Sequence, residues 1–375
     1  MSGPDDELVE AAVAWLGTRL PASWSVMRSQ RAFPATGGGE PRALDAAIDV
    51  QAERGAATTF VVEARSEFSP RDVDQLFTGL AGALRSLSPH IPVLLVAPWL
   101  SRRTQERLIA QDVNFLDLTG NAVIKLEYPA LFLQSTGAVQ NPEPRAARGP
   151  SRLRGTGAAR LIRLLADVRP PYGVQEIASA TGLTPGYVSR LLDALDRELL
   201  IVRDPRGPVR SVAVPELLRH WAQSYDLFDS NDARVFVAPG DLDLALRQLR
   251  VAARRTQAVV TGSFASARRA PVAAPRLLAI YCGDVPAIVE ELRLLPAASG
   301  GNVVLLRPFD PVVWQRTERD RGMDYAAVSQ VAVDCLTGNG RMPAEGEALL
   351  AWMTENERSW RADSLAGMDA GARSA

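Results

Sequence analysis

From residue 159 onward the apolar positions fall at helical spacing, with Leu161, Ile162, Leu164, Leu165 and Val168 forming one stripe. A stripe of that width predicts a helix with one face on a core. Pro170 and Pro171 close it, because proline donates no N–H and disfavours helix at the residue before it. A second short helix is expected over Val174 to Leu183, with Ile177 and Ala178 inward and Gly182 free to adopt the left-handed C-cap conformation. Thr184 suits an N-cap and Pro185 the first helical position, so a third helix starts there and runs to about Leu199. Its inward positions are Val188, Leu191, Leu192 and Leu195. Leu200 to Val214 then alternates apolar and polar residues around Asp204-Pro-Arg-Gly-Pro208, the pattern of a hairpin. A bridging helix over Pro215 to Ser224 follows.

The flanking regions have mixed periodicity. An amphipathic helix near Asp6 to Leu20 precedes strand-like runs at Ala43 to Gln51, Thr58 to Arg65 and Pro92 to Ala97. Helical patterns lie at Ser69 to Leu87 and Ser101 to Ala110, giving an α/β unit over residues 1–139. Beyond residue 215, a helix at Asp241 to Ala253, strands at Ala258 to Thr261 and Leu277 to Cys282, a helix at Val285 to Leu294 and a strand at Asn302 to Leu306 predict a second α/β unit over 215–362. Between them, residues 140–157 are rich in Pro, Gly and Arg and read as a basic linker. Residues 363–375 have little to bury and read as a frayed tail. The expected fold class is therefore multidomain α/β with a small unit of three helices and a hairpin at 158–214.

Charge sharpens that division. The chain of 375 residues has a net charge of only −1, yet residues 151–210 carry ten arginines and six acids. The positive charge is concentrated on the three-helix segment. Lys125 is the only lysine among the 42 basic residues. Cys282 and Cys335 are isolated from each other and from the two histidines, which excludes a disulfide framework and a local zinc site. No apolar run reaches the roughly 20 residues of a membrane span. The acidic start at Asp5, Asp6 and Glu7 lacks the basic flank of a signal peptide. A cytoplasmic, nucleoid-associated location without membrane contact is expected, and no cofactor or metal.

The order helix, VQEIASATGLTPGYVSRLLDALDRELL and arginine-bearing hairpin resembles the winged helix-turn-helix superfamily over residues 158–214. That resemblance implies double-stranded DNA as partner, with the third helix in the major groove. Thr184, Gly186, Tyr187, Ser189 and Arg190 then lie toward its N-terminal end, where base edges are read. Arg203, Arg206 and Arg210 make the hairpin a basic wing for phosphates.

In the first unit, Asp49 on one strand and Glu63-Ala-Arg65 on the next approach the arrangement in which two carboxylates hold a divalent metal. With SPRDVDQL and PVLLVAPWLSRRTQERLIAQDVNFLDLTGNAVI, the region resembles restriction-endonuclease-like PD-(D/E)XK domains. Arg65 stands where that family has lysine, and an always-protonated guanidinium is a poorer partner for an activated water. The expectation is a non-catalytic relative, with Asp49, Glu63 and Arg65 as its degenerate site. Asp117-Leu-Thr-Gly-Asn121 reads as a tight turn, and its echo at Asp334 to Asn339 as shared turn chemistry.

In the last unit, Val259-Val-Thr-Gly-Ser263 runs from strand to helix start, a place where N–H groups can hold phosphate. Together with DCLTGNGRMPAEGEALLAWM it resembles the nucleotidyltransferase-like domain of the AbiEi-type antitoxin family of type IV toxin–antitoxin systems. The following strand, Leu277-Leu-Ala-Ile-Tyr-Cys282, lacks the paired acids that chemistry needs, and Asp284 has no acidic neighbour two residues away. Gly262 and Ser263, assisted by Arg268 and Arg269, are expected at most to bind a nucleotide or other small effector. The whole reads as a sequence-specific regulator, expected to repress, and homodimeric because such readers commonly bind paired half-sites. The alternatives are a metal-dependent nuclease targeted by the winged helix, or an antitoxin acting on its own promoter beside a partner toxin.

Overall fold

The computed structural model describes residues 4–29, 46–78, 92–139, 141–142, 153–205, 207–298 and 300–365. The expected starts and ends at 43–45 and 79–87, most of the linker, Arg206 and most of the tail lie outside the described residues. The chain forms two units, one of residues 1–148 with 197–199, the other of 149–196 with 200–375.

The first unit is a seven-stranded sheet in sequence order. Helix α1 (Pro4–Gly17) leads to β1 (Ser25–Arg28), β2 (Ala46–Gln51) and β3 (Ala57–Ala64), which pair antiparallel. Helices α2 (Pro70–Thr78) and α3 (Arg102–Ala110) are the crossovers that make β4 (Val93–Ala97) and β5 (Asn114–Asp117) parallel to β3 and to each other. Strands β6 (Ala122–Leu126) and β7 (Leu131–Ser135) return antiparallel. All of β4 is buried because alternate residues serve two cores. Leu94 and Val96 pack with Leu8, Val9, Ala12 and Leu16 of α1. Val93 and Leu95 pack with Val73 of α2 and Leu108 of α3.

At the end of β5 the Asp117 carboxylate is fully buried and accepts the N–H groups of Leu100, Thr119 and Asn121 at 3.0 Å each. Gly120 takes φ +105°, as the tight turn requires, and a Cβ on Gly137 would lie 2.4 Å from the Thr119 carbonyl oxygen.

The second unit opens with α4 (Gly155–Asp167), α5 (Val174–Thr181), α6 (Pro185–Arg197), the hairpin β8 (Ile201–Arg203) and β9 (Val209–Val212), and α7 (Val214–Ala222). Helix α4 begins inside the stretch expected as linker. Strands β10 (Asp232–Val237), β11 (Ala258–Thr261), β12 (Leu278–Cys282), β13 (Leu295–Pro296), β14 (Val303–Arg307), β15 (Glu318–Asp320) and β16 (Met323–Tyr325) form one sheet in the order β13-β10-β14-β12-β11-β16-β15. Its helices are α8 (Leu242–Ala252), α9 (Gly262–Ser266), α10 (Val285–Glu291), α11 (Val328–Leu336), α12 (Met342–Glu355) and α13 (Glu357–Trp360).

The three-helix segment and this sheet were expected as separate domains, but they share one hydrophobic core running from Leu153 to Trp360. Helix α11, which the sequence pattern did not single out, is buried from Val328 through Cys335. It carries a polar network into that core. The Asp334 carboxylate accepts hydrogen bonds from the hydroxyls of Tyr225 (2.7 Å) and Thr261 (2.6 Å) and from the Gln330 amide (2.8 Å). The Tyr281 hydroxyl approaches both of its oxygens. Asp334 therefore sits inside a helix, unlike Asp117, and only the Thr337-Gly338-Asn339 part of the echo turns, at the end of that helix.

On the other side of Gln330, Arg163 of α4 donates to its amide oxygen at 3.0 Å and to Asp167 at 2.9 and 3.1 Å. The Ser329 hydroxyl also donates to Asp167. The end of the described chain ties back to α4 as well: Ala362 donates its N–H to the Asp167 carbonyl at 2.8 Å, and Arg361 donates to the Val168 carbonyl at 2.7 Å.

Candidate nucleic-acid interface

Each element of the reading head is fixed by local chemistry. The Gly173 N–H donates to the Glu176 carboxylate at 2.7 Å, which satisfies one of the donors exposed at the start of α5. Gly182 ends that helix at φ +69° with its N–H on the Ala178 carbonyl. Leu183 then packs against the core and places the start of α6. Val188, Leu191, Leu192 and Leu195 are buried on the inner face of α6. Tyr172 bridges to Val209 of the hairpin, its carbonyl accepting the Val209 N–H at 3.0 Å. Burial pushes the Tyr172 phenol well above its ordinary pKa, so it stays neutral.

Along the first two turns of α6, Thr184, Gly186 and Arg190 are exposed and Ser189 is half-buried. Gly186 has open space where a Cβ would be. Among the described residues no hydrogen bond or ion pair engages the Arg190 side chain. Tyr187 differs from its neighbours. Its ring lies over Gly157 of α4, with Cε1 3.0 Å and the phenol oxygen 3.2 Å from the place of a Gly157 Cβ. Burial raises its pKa, against the opposing charge of Arg190. The ring thus supports the seat of α6 as well as bordering its outer surface.

The wing arginines are not bare. Arg203 pairs with Asp193 of α6 and is only 12% exposed, and Arg210 pairs with Asp204 at 2.6 Å. The Asp204 hydrogen bond raises the Arg210 pKa. Arg160 is likewise tied to Asp310 at 2.8 Å. Much of the positive surplus of residues 151–210 is therefore compensated within the fold, leaving Arg190 as its clearest uncompensated group on α6. The sequence reading missed the two carboxylate partners. The Asp204–Arg210 pair was accessible from the hairpin pattern, whereas Asp193–Arg203 requires the helix and wing to be brought together.

In the first unit the register separates Asp49 from Glu63. Asp49 lies opposite Thr59, whose hydroxyl donates to it at 2.5 Å. Glu63 is four positions farther along β3, roughly 13 Å at about 3.3 Å per residue. Two carboxylates that far apart on neighbouring strands do not meet at one ion. Glu63 instead pairs with Arg65, with part of the Arg65 guanidinium also on the Ala64 carbonyl. The D…E-x-R spacing thus does not bring the two carboxylates together.

The Gly262–Ser263 turn is filled by protein. Gly262 has φ +63°, and a Cβ there would meet the Met342 methyl at 3.0 Å. Ser263 is buried and donates its hydroxyl to Glu345. Arg268 lies 3.9 Å over the Tyr325 ring and 3.3 Å from Asp320, while Arg269 pairs with Glu318 at 3.0 Å. An effector at this turn would have to displace the Glu345 contact. Asp284, just beyond β12, caps α10 by accepting the Ala287 N–H at 3.1 Å.

Comparison with known families agrees with the reading head. Residues 158–205 match the IclR helix-turn-helix domain. Residues 210–348 match a family described as a transcriptional regulator, AbiEi antitoxin, of type IV toxin–antitoxin systems. No curated protein and no solved structure gives a significant match. The chain thus carries a segment similar to a helix-turn-helix domain followed by one similar to the AbiEi antitoxin family, within a mixed α/β structure. Among the described residues no helix is long and apolar enough to cross a membrane.

Proposed function

We propose that this protein is a sequence-specific regulator of transcription that represses by occupying its operator. Helix 184–199 enters the major groove, and the arginine wing grips phosphate. The observation that carries this reading is Arg190, an exposed, unengaged guanidinium near the N-terminal end of a helix whose opposite face is locked into the core. Arg190, Ser189, Gly186 and Thr184 offer donors and close approach to base edges. Arg203 and Arg210 supply the salt-sensitive phosphate term once they exchange their carboxylate partners for DNA. A homodimer on paired half-sites is the proposed assembly.

The flanking units serve this reading without chemistry of their own: a restriction-endonuclease-like fold before the head and a nucleotidyltransferase-like fold after it. The distance between Asp49 and Glu63 and the lack of paired acids on β12 support a non-catalytic role for both. An autoregulating antitoxin with a partner toxin is a second reading, favoured by the family match over residues 210–348. Fluorescence anisotropy against DNA recovered from the cell tests the common core of the two. Nanomolar binding that falls steeply with salt is expected, and equal affinity for every duplex overturns sequence-specific regulation.

A further inference from the structure

Helix α8 turns Ala245, Leu249 and Ala252 into the core. Its outer face carries two apolar side chains one heptad apart, Leu244 at 39% and Val251 at 52% exposure. At about 100° per residue, Arg247 and Gln248 lie between them on the same face. Asp241 and Asp243 are exposed at the helix start, and Arg254 and Arg255 are exposed just past its end. The helical turn continues there, since the Arg254 N–H reaches the Val251 carbonyl and the Arg255 N–H the Ala252 carbonyl. Among the described residues no ion pair engages Asp243, Arg254 or Arg255.

We propose that this face pairs with the same face of a second copy, antiparallel, about a two-fold axis at Gln248. Leu244 and Val251 are centred between residues 247 and 248, Asp243 and Arg254 between 248 and 249, and Asp241 and Arg255 at 248. One axis therefore sets Leu244 on the partner's Val251, Asp243 by the partner's Arg254 and Asp241 by the partner's Arg255. Asp243 and Arg254 fall on the same flank of the helix, which is the flank that meets itself in an antiparallel pair. Parallel pairing would set acid on acid and arginine on arginine. Arg247, close to the axis, has Asp243 one turn earlier on its own helix to offset its charge.

A helix of 11 residues is only about 16 Å long at 1.5 Å per residue. Such a contact is far smaller than the roughly 800 Å² per partner of a standard interface, so the dimer is weak, with Kd on the order of micromolar or higher. Joint occupancy of neighbouring half-sites would strengthen it on DNA. This assigns a surface to the homodimer of the proposed function and rests on that reading only for its purpose. The assay contains no DNA, so failure of pairing and failure of DNA binding are seen separately.

Both native cysteines, Cys282 and Cys335, are buried. In the full-length chain, Gln248→Cys should form a disulfide-linked dimer under mild oxidation at least tenfold faster than Glu127→Cys, an exposed control in the other unit. By sedimentation equilibrium, Asp243→Arg and Arg254→Asp should each raise the dimer Kd at least tenfold. Mixed in equal amounts, the two variants should pair again, because each supplies the charge the other lacks. Cross-linking no faster than the control, or a mixture that stays as monomeric as its components, overturns the proposal.

Discussion

Replacing Arg163 with alanine tests whether the reading head and the sheet behind it are one cooperative body. The side chain is 1% exposed and spans the two: it pairs with Asp167 on its own helix and reaches Gln330, the Val312 carbonyl and the Gln315 carbonyl. Truncation leaves Asp167, itself 3% exposed, as a buried charge with the Ser329 hydroxyl as its remaining side-chain donor. Breaking a buried pair by removing one partner costs about 3–5 kcal/mol, most of it from the stranded charge. For a unit of this size that lowers Tm by on the order of 10 °C. Urea unfolding followed by tryptophan fluorescence reads the change, because Trp221, Trp314, Trp352 and Trp360 all lie in or against the shared core. The double variant Arg163→Met/Asp167→Leu removes both charges and should recover most of the loss. A cost below about 1 kcal/mol for Arg163→Ala, or separate transitions for head and sheet in the wild type, would falsify the single-body account.

Other expectations concern the acid network, the wing and a helix end. Burial pushes the Asp334 carboxyl above its ordinary range, so its contribution is fully present below the unfolded pKa of about 3.9 and declines as pH rises through the raised folded value. Asp334→Asn should therefore cost more stability at pH 5 than at pH 8, and the opposite trend in paired denaturation curves would contradict that sign. Asp193→Asn and Asp204→Asn each remove a carboxylate that competes with DNA phosphate for a wing arginine. Both should tighten operator binding by roughly two- to tenfold at low salt, and unchanged or weaker binding by anisotropy speaks against phosphate contact by the wing. Gly182→Ala meets no neighbouring atom but must hold φ +69°, so a loss of about 1–2 kcal/mol is expected from backbone strain alone. A neutral result in thermal denaturation would place that C-cap elsewhere.

The reading head was legible because its signals are local. Apolar spacing, the proline stop, Gly182 as C-cap and Thr184-Pro185 as a helix start each act within a few residues. The wing was legible as a hairpin, but its charge balance was not, since Asp193 and Arg203 are brought together only by the fold. The same holds for β2 and β3: both strands were readable, while register decided that Asp49 faces Thr59 and not Glu63. Helix α11 escaped because burial on all sides erases the amphipathic period that reveals surface helices. Its Gln330 and Asp334 look like ordinary polar residues until Arg163, Tyr225, Thr261 and Tyr281 arrive from distant segments. For that reason the expected boundary between the head and the last unit disappears in the structure.

The central claim is that α6 reads DNA sequence through Arg190. Genome-wide occupancy of the tagged full-length protein, compared with the Arg190→Ala variant at equal abundance, tests it most directly. Discrete wild-type sites sharing a motif are expected. At those sites the variant should lose about 1–3 kcal/mol of binding, roughly tenfold or more in affinity, and relax its preference at one base position. No wild-type enrichment above background, or an occupancy map unchanged by the substitution, would contradict it.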